Sequence, residues 1–423
     1  MDNTKPQPGG WGIVALLFFF MLLNFVDKAV IGVAALPIMK ELGLTPKEFG
    51  AVNSAFFALF SISAIVTGFL VNRIQSRWAL LVMAAIWALT QFPMLGTISF
   101  TTLLACRVAL GAGEGPAYPV ALHAAYKWFP NHLRTLPSAF ISQGAAVGVV
   151  ITIPLLEWVI EEYDWHRAFG MLGVVGLIWV AAWWIWGKEG ALVVQTADTG
   201  KALPPVPYAK LIFNPTSLAV FATGFGAYWG LALLIAWFPP FLVQGLHYTP
   251  HDAGFITTLP WAASPVAVLF SGWLSQKLQA GGMSTRGARG IYGGACVAIG
   301  GVALILMPQM PSNVLQIAMV VIGMSVPAVI YVMGHAMLSE YTPVSQRGAM
   351  LGINNAIATS AGLVAPYVMG SVVQDALAAG ATAASGYTHG FFICGVVALL
   401  CGLFGIVFLR PSAQAIRFAE AAA

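Results

Sequence analysis

Long apolar runs separated by short polar breaks dominate the chain. The breaks cut it into about twelve segments of roughly 20 residues or more, the length a helix needs to cross the hydrocarbon of a bilayer. The pattern places them near 11–37, 48–71, 78–97, 101–126, 135–160, 166–186, 214–243, 252–275, 287–307, 313–339, 346–372 and 388–409. The first segment is too long and too charged at its centre for a cleaved leader, and no small-residue cleavage site follows it, so it is expected to remain as a span. The longest break, 187–213, replaces the apolar pattern with Lys188, Glu189, Asp198, Lys201, Pro204, Pro205 and Pro207. It is expected to link two halves of six spans each, 1–186 and 214–423. A weak repeat agrees: Gly68-Phe69-Leu70-Val71-Asn72-Arg73 after span two is similar to Gly272-Trp273-Leu274-Ser275-Gln276-Lys277 after span eight. The expected fold is an all-α membrane protein, twelve helices in two pseudo-symmetric six-helix bundles with a solute site between them near the midplane.

Composition narrows the class further. Of 423 residues 59% are hydrophobic and only 8% charged, with mean hydropathy +0.83, which excludes an ordinary soluble or disordered chain. With the N-terminus cytoplasmic, 14 of the 19 lysines and arginines fall in cytoplasmic breaks and only Lys40, Lys47 and Arg167 lie outside. Both termini are therefore expected in the cytoplasm, in a plasma membrane such as a bacterial inner membrane. The net charge of +4 reflects this distribution and does not argue for nucleic acid. Cys106, Cys296, Cys394 and Cys401 all lie in apolar segments, which suggests neither a disulfide framework nor a metal site. Trp183, Trp184 and Trp186 at the end of span six fit an interfacial aromatic belt. No Ser/His, paired-Asp or H-E-x-x-H constellation stands within the spans, so an enzyme is not expected.

Chemistry concentrates in four residues, Asp27, Lys28, Arg107 and Glu114, each charged and each in the middle of a span. A charge at the bilayer centre costs about 2.5–3.5 kcal/mol on insertion scales, so such groups usually face a cavity, a partner or a solute path. On a helix Arg107, Gly111 and Glu114 stand at i, i+4 and i+7 and share a face, with the glycine expected to leave room beside the charges. Arg107 presents a planar fork of donors suited to a carboxylate. Burial and a neighbouring arginine pull the Glu114 carboxyl in opposite directions, which suits a titratable, proton-coupling group. Asp27 and Lys28, being adjacent, point about 100° apart and cannot serve one face.

These residues carry a resemblance. Arg107-x-x-x-Gly111-x-x-Glu114-x-Pro116, followed by Trp128-Phe129-Pro130, is similar to the R-x-x-x-G-x-x-E-x-P…W-F-P signature of the anion:cation symporter family within the major facilitator superfamily. Asn24-Phe25-Val26-Asp27-Lys28 in span one resembles that family's N-Y-x-D-R, and Trp237-Phe238-Pro239 and Gly352-x-x-Asn355 add to it. The loop after span two resembles the superfamily's G-x-L-x-D-R-x-G-R-R in part, with Gly68, Leu70, Arg73 and Arg77 matching and Asn72, Gln75 and Ser76 departing.

The resemblance implies an importer of an organic anion driven by protons, with no other cofactor, working by alternating access, and a monomer is expected. It implies anion binding by Arg107 and Lys28, the lysine standing where the family usually has arginine and lacking its fork. It implies a second protonatable carboxylate in Asp27, for which a fixed ion pair is the competing reading, and a hydrogen-bonding role for Asn355. Gln143 in span five and Tyr228 in span seven are further candidates for substrate contact, and Arg73 and Arg77 for gating. Sugar-acid members carry tyrosine where this chain has Phe25 and Phe60, which favours an aromatic or poorly hydroxylated acid. A hexuronate or aldonate is the alternative, and a proton-coupled exporter of drugs or metabolites a more distant one.

Overall fold

The computed structural model describes residues 6–70, 74–130, 133–191 and 206–420. Asn72 and Arg73 of the loop motif, and 192–205 of the expected linker, lie outside the described residues. Among those described, all regular structure is helical. The first half holds α1 (Gly10–Val33), α2 (Ala35–Leu42), α3 (Pro46–Leu70), α4 (Ser76–Gln91), α5 (Phe100–Glu114), α6 (Ala117–Tyr126), α7 (Thr135–Glu162) and α8 (Trp165–Trp186). The end of the expected linker forms α9 (Tyr208–Ile212), and the second half holds α10 (Pro215–Ala236), α11 (Phe238–Pro240), α12 (Pro250–Ala280), α13 (Tyr292–Leu306), α14 (Asn313–Ser325), α15 (Val329–Tyr341), α16 (Val344–Thr359), α17 (Ala361–Ala378), α18 (Ala383–Phe408) and α19 (Pro411–Glu420).

Local chemistry sets many of these boundaries. Thr45 and Glu48 form a reciprocal capping box at the start of α3: Glu48 Oε2 accepts from the Thr45 backbone N–H at 2.8 Å and Thr45 Oγ1 from that of Glu48 at 3.2 Å. Ser99 and Asp164 cap α5 and α8 by accepting from Thr102 N and Arg167 N. Among the described residues, eleven helices are long and apolar enough to cross a membrane. The fourth expected span is not among them, because Pro116, lacking an N–H, divides it into α5 and α6 directly after Glu114. The expectation of twelve spans stands with this one broken.

Two compact units result. Unit 1 takes the described residues of 1–195 together with 235–243 and 247–258; unit 2 takes those of 196–234, 244–246 and 259–423. Within each, glycines let backbones meet, which is how helices associate where the surroundings are already apolar. In unit 1 a Cβ on Gly144 would stand 2.3 Å from Phe18 O, fixing α7 on α1. In unit 2 Gly301 of α13 faces Leu399 N of α18 at 2.4 Å in the same sense. A buried polar knot anchors α10 to α15, with the hydroxyls of Ser217 and Tyr341 2.6 Å apart. Trp184 and Trp186 are exposed, as an interfacial belt requires, whereas Trp183 is not. That indole is buried, stacks on Trp179 and donates from Nε1 to Arg77 O at 2.9 Å, so it is a packing residue.

A second tie holds the start of α4. The Glu189 carboxylate accepts from the backbone N–H groups of Ser76 and Arg77 at 3.2 and 2.9 Å, from Ser76 Oγ, and from Lys127 in an ion pair. Burial raises its titration, but the Lys127 ammonium with the Arg77 and Ser76 donors more than offsets that, and the carboxyl is held below the usual carboxylate range. Because the folded form titrates below the unfolded one, this stabilisation is fully present above the unfolded value and is lost as pH falls through the folded one. Glu189→Gln is expected to cost about 1–2 kcal/mol at neutral pH, the scale of a lost helix cap. Its unfolding midpoint should converge on that of the parent under acid, and parallel curves across pH would remove Glu189 from this role.

Candidate functional site

The four intramembrane charges all belong to unit 1 and converge from two helices. Asp27 and Lys28 sit near the middle of α1, and Arg107 and Glu114 on α5; all are at least 96% buried. As adjacency requires, the two α1 side chains part. Lys28 Nζ donates to Asn24 Oδ1 at 2.6 Å and stands 3.1 Å from Glu114 Oε2. Asp27 turns to α4, where Oδ1 accepts from Gln91 Nε2 at 3.0 Å. Among the described residues Asp27 has no ion pair within 4.0 Å, so the fixed-pair reading of it is not the arrangement here, while Lys28 does have one.

Arg107 is placed differently. Its guanidinium lies 4.7 Å from the centre of the Phe56 ring, Nη1 reaches the main-chain oxygen of Asp27 at 3.5 Å, and Nε is buried with no acceptor among the described residues. No described carboxylate lies within ion-pair distance of it. A buried guanidinium with donors to spare is costly unless an anion completes it. Lys28, by contrast, is enclosed by Phe25 and Phe60, whose ring centres stand 4.5 and 5.2 Å from Nζ. Phe25 and Phe60 therefore do border the charged cluster, and their rings hold the lysine by cation–π attraction.

Gly111 does not leave room beside the charges, as its spacing suggested. A Cβ there would stand 1.8 Å from Phe56 O, so the missing side chain is filled by the backbone of α3. Gly115 repeats the device four residues on, at 2.0 Å from Phe60 O. These two contacts hold Phe56 over Arg107 and Phe60 beside Lys28, which makes the glycines the frame of the cluster.

The remaining candidates stand on other helices. Gln143 is half-buried on α7. Arg77 donates from Nη2 to Trp184 O at 2.9 Å and lies over the Trp78 ring, which places it against the end of α8. Tyr228 and Asn355 belong to unit 2: Tyr228 meets Tyr331 edge-on at 6.4 Å, and Asn355 is half-buried on α16 one turn after Gly352, beside which there is open space. Unit 2 also buries the Asn354 Oδ1 and Tyr331 hydroxyl without hydrogen-bond partners among the described residues. Sequence reasoning missed Gln91 and Asn24 as partners of the charges. The available signal was an amide inside an apolar run, which is costly to bury unless something accepts or donates to it.

Comparison with known proteins bears on this arrangement. The profile of the Major Facilitator Superfamily matches residues 17–326 and again 220–423. A D-galactonate transporter of Escherichia coli O6:H1 (strain CFT073) is 30% identical over 310 residues, 68% of this chain and 72% of that protein. A hexuronate transporter of Bacillus subtilis (strain 168) is 23% identical over 418 residues, 94% of each. The chain spans only 58% and 64% of the length of two probable chloroplast anion transporters of Oryza sativa subsp. japonica that it also matches. Among solved structures, a bacterial homolog of the human lysosomal transporter Spinster, inward-facing and occupied, superposes with TM-score 0.80 over 98% of this chain and 99% of that one, at 17% identity, and so shares the fold. With that profile across both halves, the chain belongs to the Major Facilitator Superfamily and is a multi-pass membrane transporter, not an enzyme.

Proposed function

We propose that the protein carries a small organic carboxylate inward across a plasma membrane by proton symport, both termini cytoplasmic, as a monomer working by alternating access. The observation that carries this reading is the unequal state of the two cations: Lys28 is spent on Glu114, whereas Arg107 has donors uncommitted. Arg107 anchors the substrate carboxylate. A proton on Glu114 removes the charge that holds Lys28, and the freed ammonium joins Arg107 on the anion. Proton and anion thus favour each other's binding, which is the linkage that symport requires. Asp27, held by Gln91, is the second carboxylate open to a proton, and Gln143, Tyr228 and Asn355 are kept as candidates for the rest of the substrate.

Glu114→Gln is expected to abolish accumulation against a gradient while exchange of labelled for unlabelled anion continues, since the amide mimics the protonated acid. Uphill uptake by that variant in proteoliposomes would leave Glu114 only a structural part.

Phe25 and Phe60 beside Lys28 offer no hydroxyls, which supports an aromatic or poorly hydroxylated acid, because sugar hydroxyls left unpaired on burial lose affinity. A hexuronate or aldonate is the second reading, favoured by the names of the galactonate and hexuronate relatives. Uptake of one acid of each kind under an inward proton gradient decides between them: the class that accumulates is the substrate class.

A further inference from the structure

A cavity of about 200 Å3 lies within unit 1 and shares no lining residue with the charged cluster. Its walls come from the junction of α1 and α2, the last two turns of α7, residues 239–243 and the start of α12. Glu157 and Glu161, one turn apart on α7, are the only charged residues among the described ones that line it. Glu161 is exposed, but Glu157 is 8% exposed and has no hydrogen bond or ion pair among the described residues. Its methylenes are covered by Gly254, where a Cβ would stand 3.2 Å from Glu157 Cβ and 3.3 Å from Cγ.

The walls are also poor in donors. Pro37, Pro239, Pro240 and Pro250 line the cavity and bring no backbone N–H, and Val33, Leu36 and Val243 add only apolar surface. A carboxylate held here gives up most of its water and finds no donor on these walls in exchange, and a proton relieves that cost. Two carboxyls, one of them exposed, are too few for an all-protein cage around calcium, which takes six to eight oxygens, and among the described residues no group of three or more His, Cys, Asp or Glu side chains could hold a metal ion. A proton needs no further ligand.

We propose that Glu157 is a proton-binding site separate from Asp27 and Glu114. It holds its proton while 239–243 and the start of α12 pack on α7, and loss of that proton opens the cavity by driving those segments away.

The other titratable groups on the walling elements are accounted for. On α2, Lys40 is exposed and Glu41 accepts from Trp165 Nε1 and meets His166. On α12, Asp252 accepts from Thr249 Oγ1, and His251 packs on Phe255. On α7, Glu162 lies outside the lining, and on α1 Asp27 and Lys28 face Gln91 and Glu114. Residues 235–243 carry no charge. Only Glu161 adds to the field at Glu157, and its like charge disfavours a second carboxylate beside it.

The test uses the full chain in lipid nanodiscs with Ala253→Cys, a buried position in the cavity wall. The rate of reaction with a membrane-impermeant maleimide is measured across pH, with and without Glu157→Gln, and the labelling of the native cysteines is subtracted. Comparing the two proteins at each pH cancels the intrinsic titration of the thiol. The expected ratio of rates, Glu157 over Glu157→Gln, is near one under acid. It should rise by up to about tenfold per pH unit above the titration of Glu157, the linkage of one proton. A ratio that stays at one across the range overturns the proposal, as does faster labelling of the Glu157→Gln protein. Glu157→Met, similar in size and uncharged, replaces Glu157→Gln in the same comparison if that variant does not fold.

Discussion

Arg107→Ala is expected to abolish uptake and to weaken anion binding by about 3 kcal/mol or more, a factor of about a hundred, since truncating one partner of a buried charge pair costs about 2–5 kcal/mol. Two losses combine in that figure. The anion loses its bidentate donor, and Asp27 and Glu114 lose the neighbouring positive charge that offsets them. Arg107→Lys separates the two, because it keeps the charge and surrenders the fork. If the fork matters, binding in the lysine variant stays well below the parent although the net charge of the cluster is unchanged. Both variants need a folding check by size-exclusion profile, since the guanidinium also rests on Phe56. A folded alanine variant with normal uptake would take Arg107 out of the site and leave Lys28 as the anchor.

The charged cluster was legible in the sequence because burying a charge is expensive, so Asp27, Lys28, Arg107 and Glu114 stand out of their apolar runs without any structure. The pairing among them was not. Lys28 finds Asn24 four residues away, within reach of helical periodicity, but Asp27 finds Gln91 across 64 residues, and no local pattern announces that. The same limit explains Trp183: position at the end of a span predicted an interface, whereas the side chain points inward to a carbonyl on α4. The membership of 235–243 in unit 1 is likewise a tertiary fact. It shows in Gly32, where a Cβ would stand 1.9 Å from Ile235 O. Helix spans were read well because bilayer crossing imposes one length and one polarity on each segment. The break at Pro116 was visible as a proline, yet its consequence, two short helices meeting just past Glu114, needed the backbone to be seen.

Gly111→Ala is expected to be as damaging as loss of Arg107, through packing and not through charge. The new methyl would stand 1.8 Å from Phe56 O and 2.8 Å from its carbonyl carbon, well inside the distance any real Cβ keeps. The obstacle is backbone, so no rotamer change relieves it and α5 must move away from α3 by roughly 1 Å or more. Overpacking of a well-filled interior costs about 1–3 kcal/mol and more where the neighbour cannot yield, so about 3 kcal/mol or above is expected here. The displacement also carries function, since the same contact sets Phe56 over Arg107 and, through Gly115 and Phe60, the ring beside Lys28. Thermal unfolding in detergent, followed by tryptophan fluorescence, measures the effect. Gly272→Ala on α12 is the control: nothing lies within 4 Å of its would-be Cβ, so the methyl should be neutral or stabilise by about 0.4–1 kcal/mol through the unfolded chain. An unchanged midpoint for Gly111→Ala would mean that α3 and α5 can part freely. The rings of Phe56 and Phe60 would then hold their places beside the charges by their own packing, and the two glycines would not be the frame of the site.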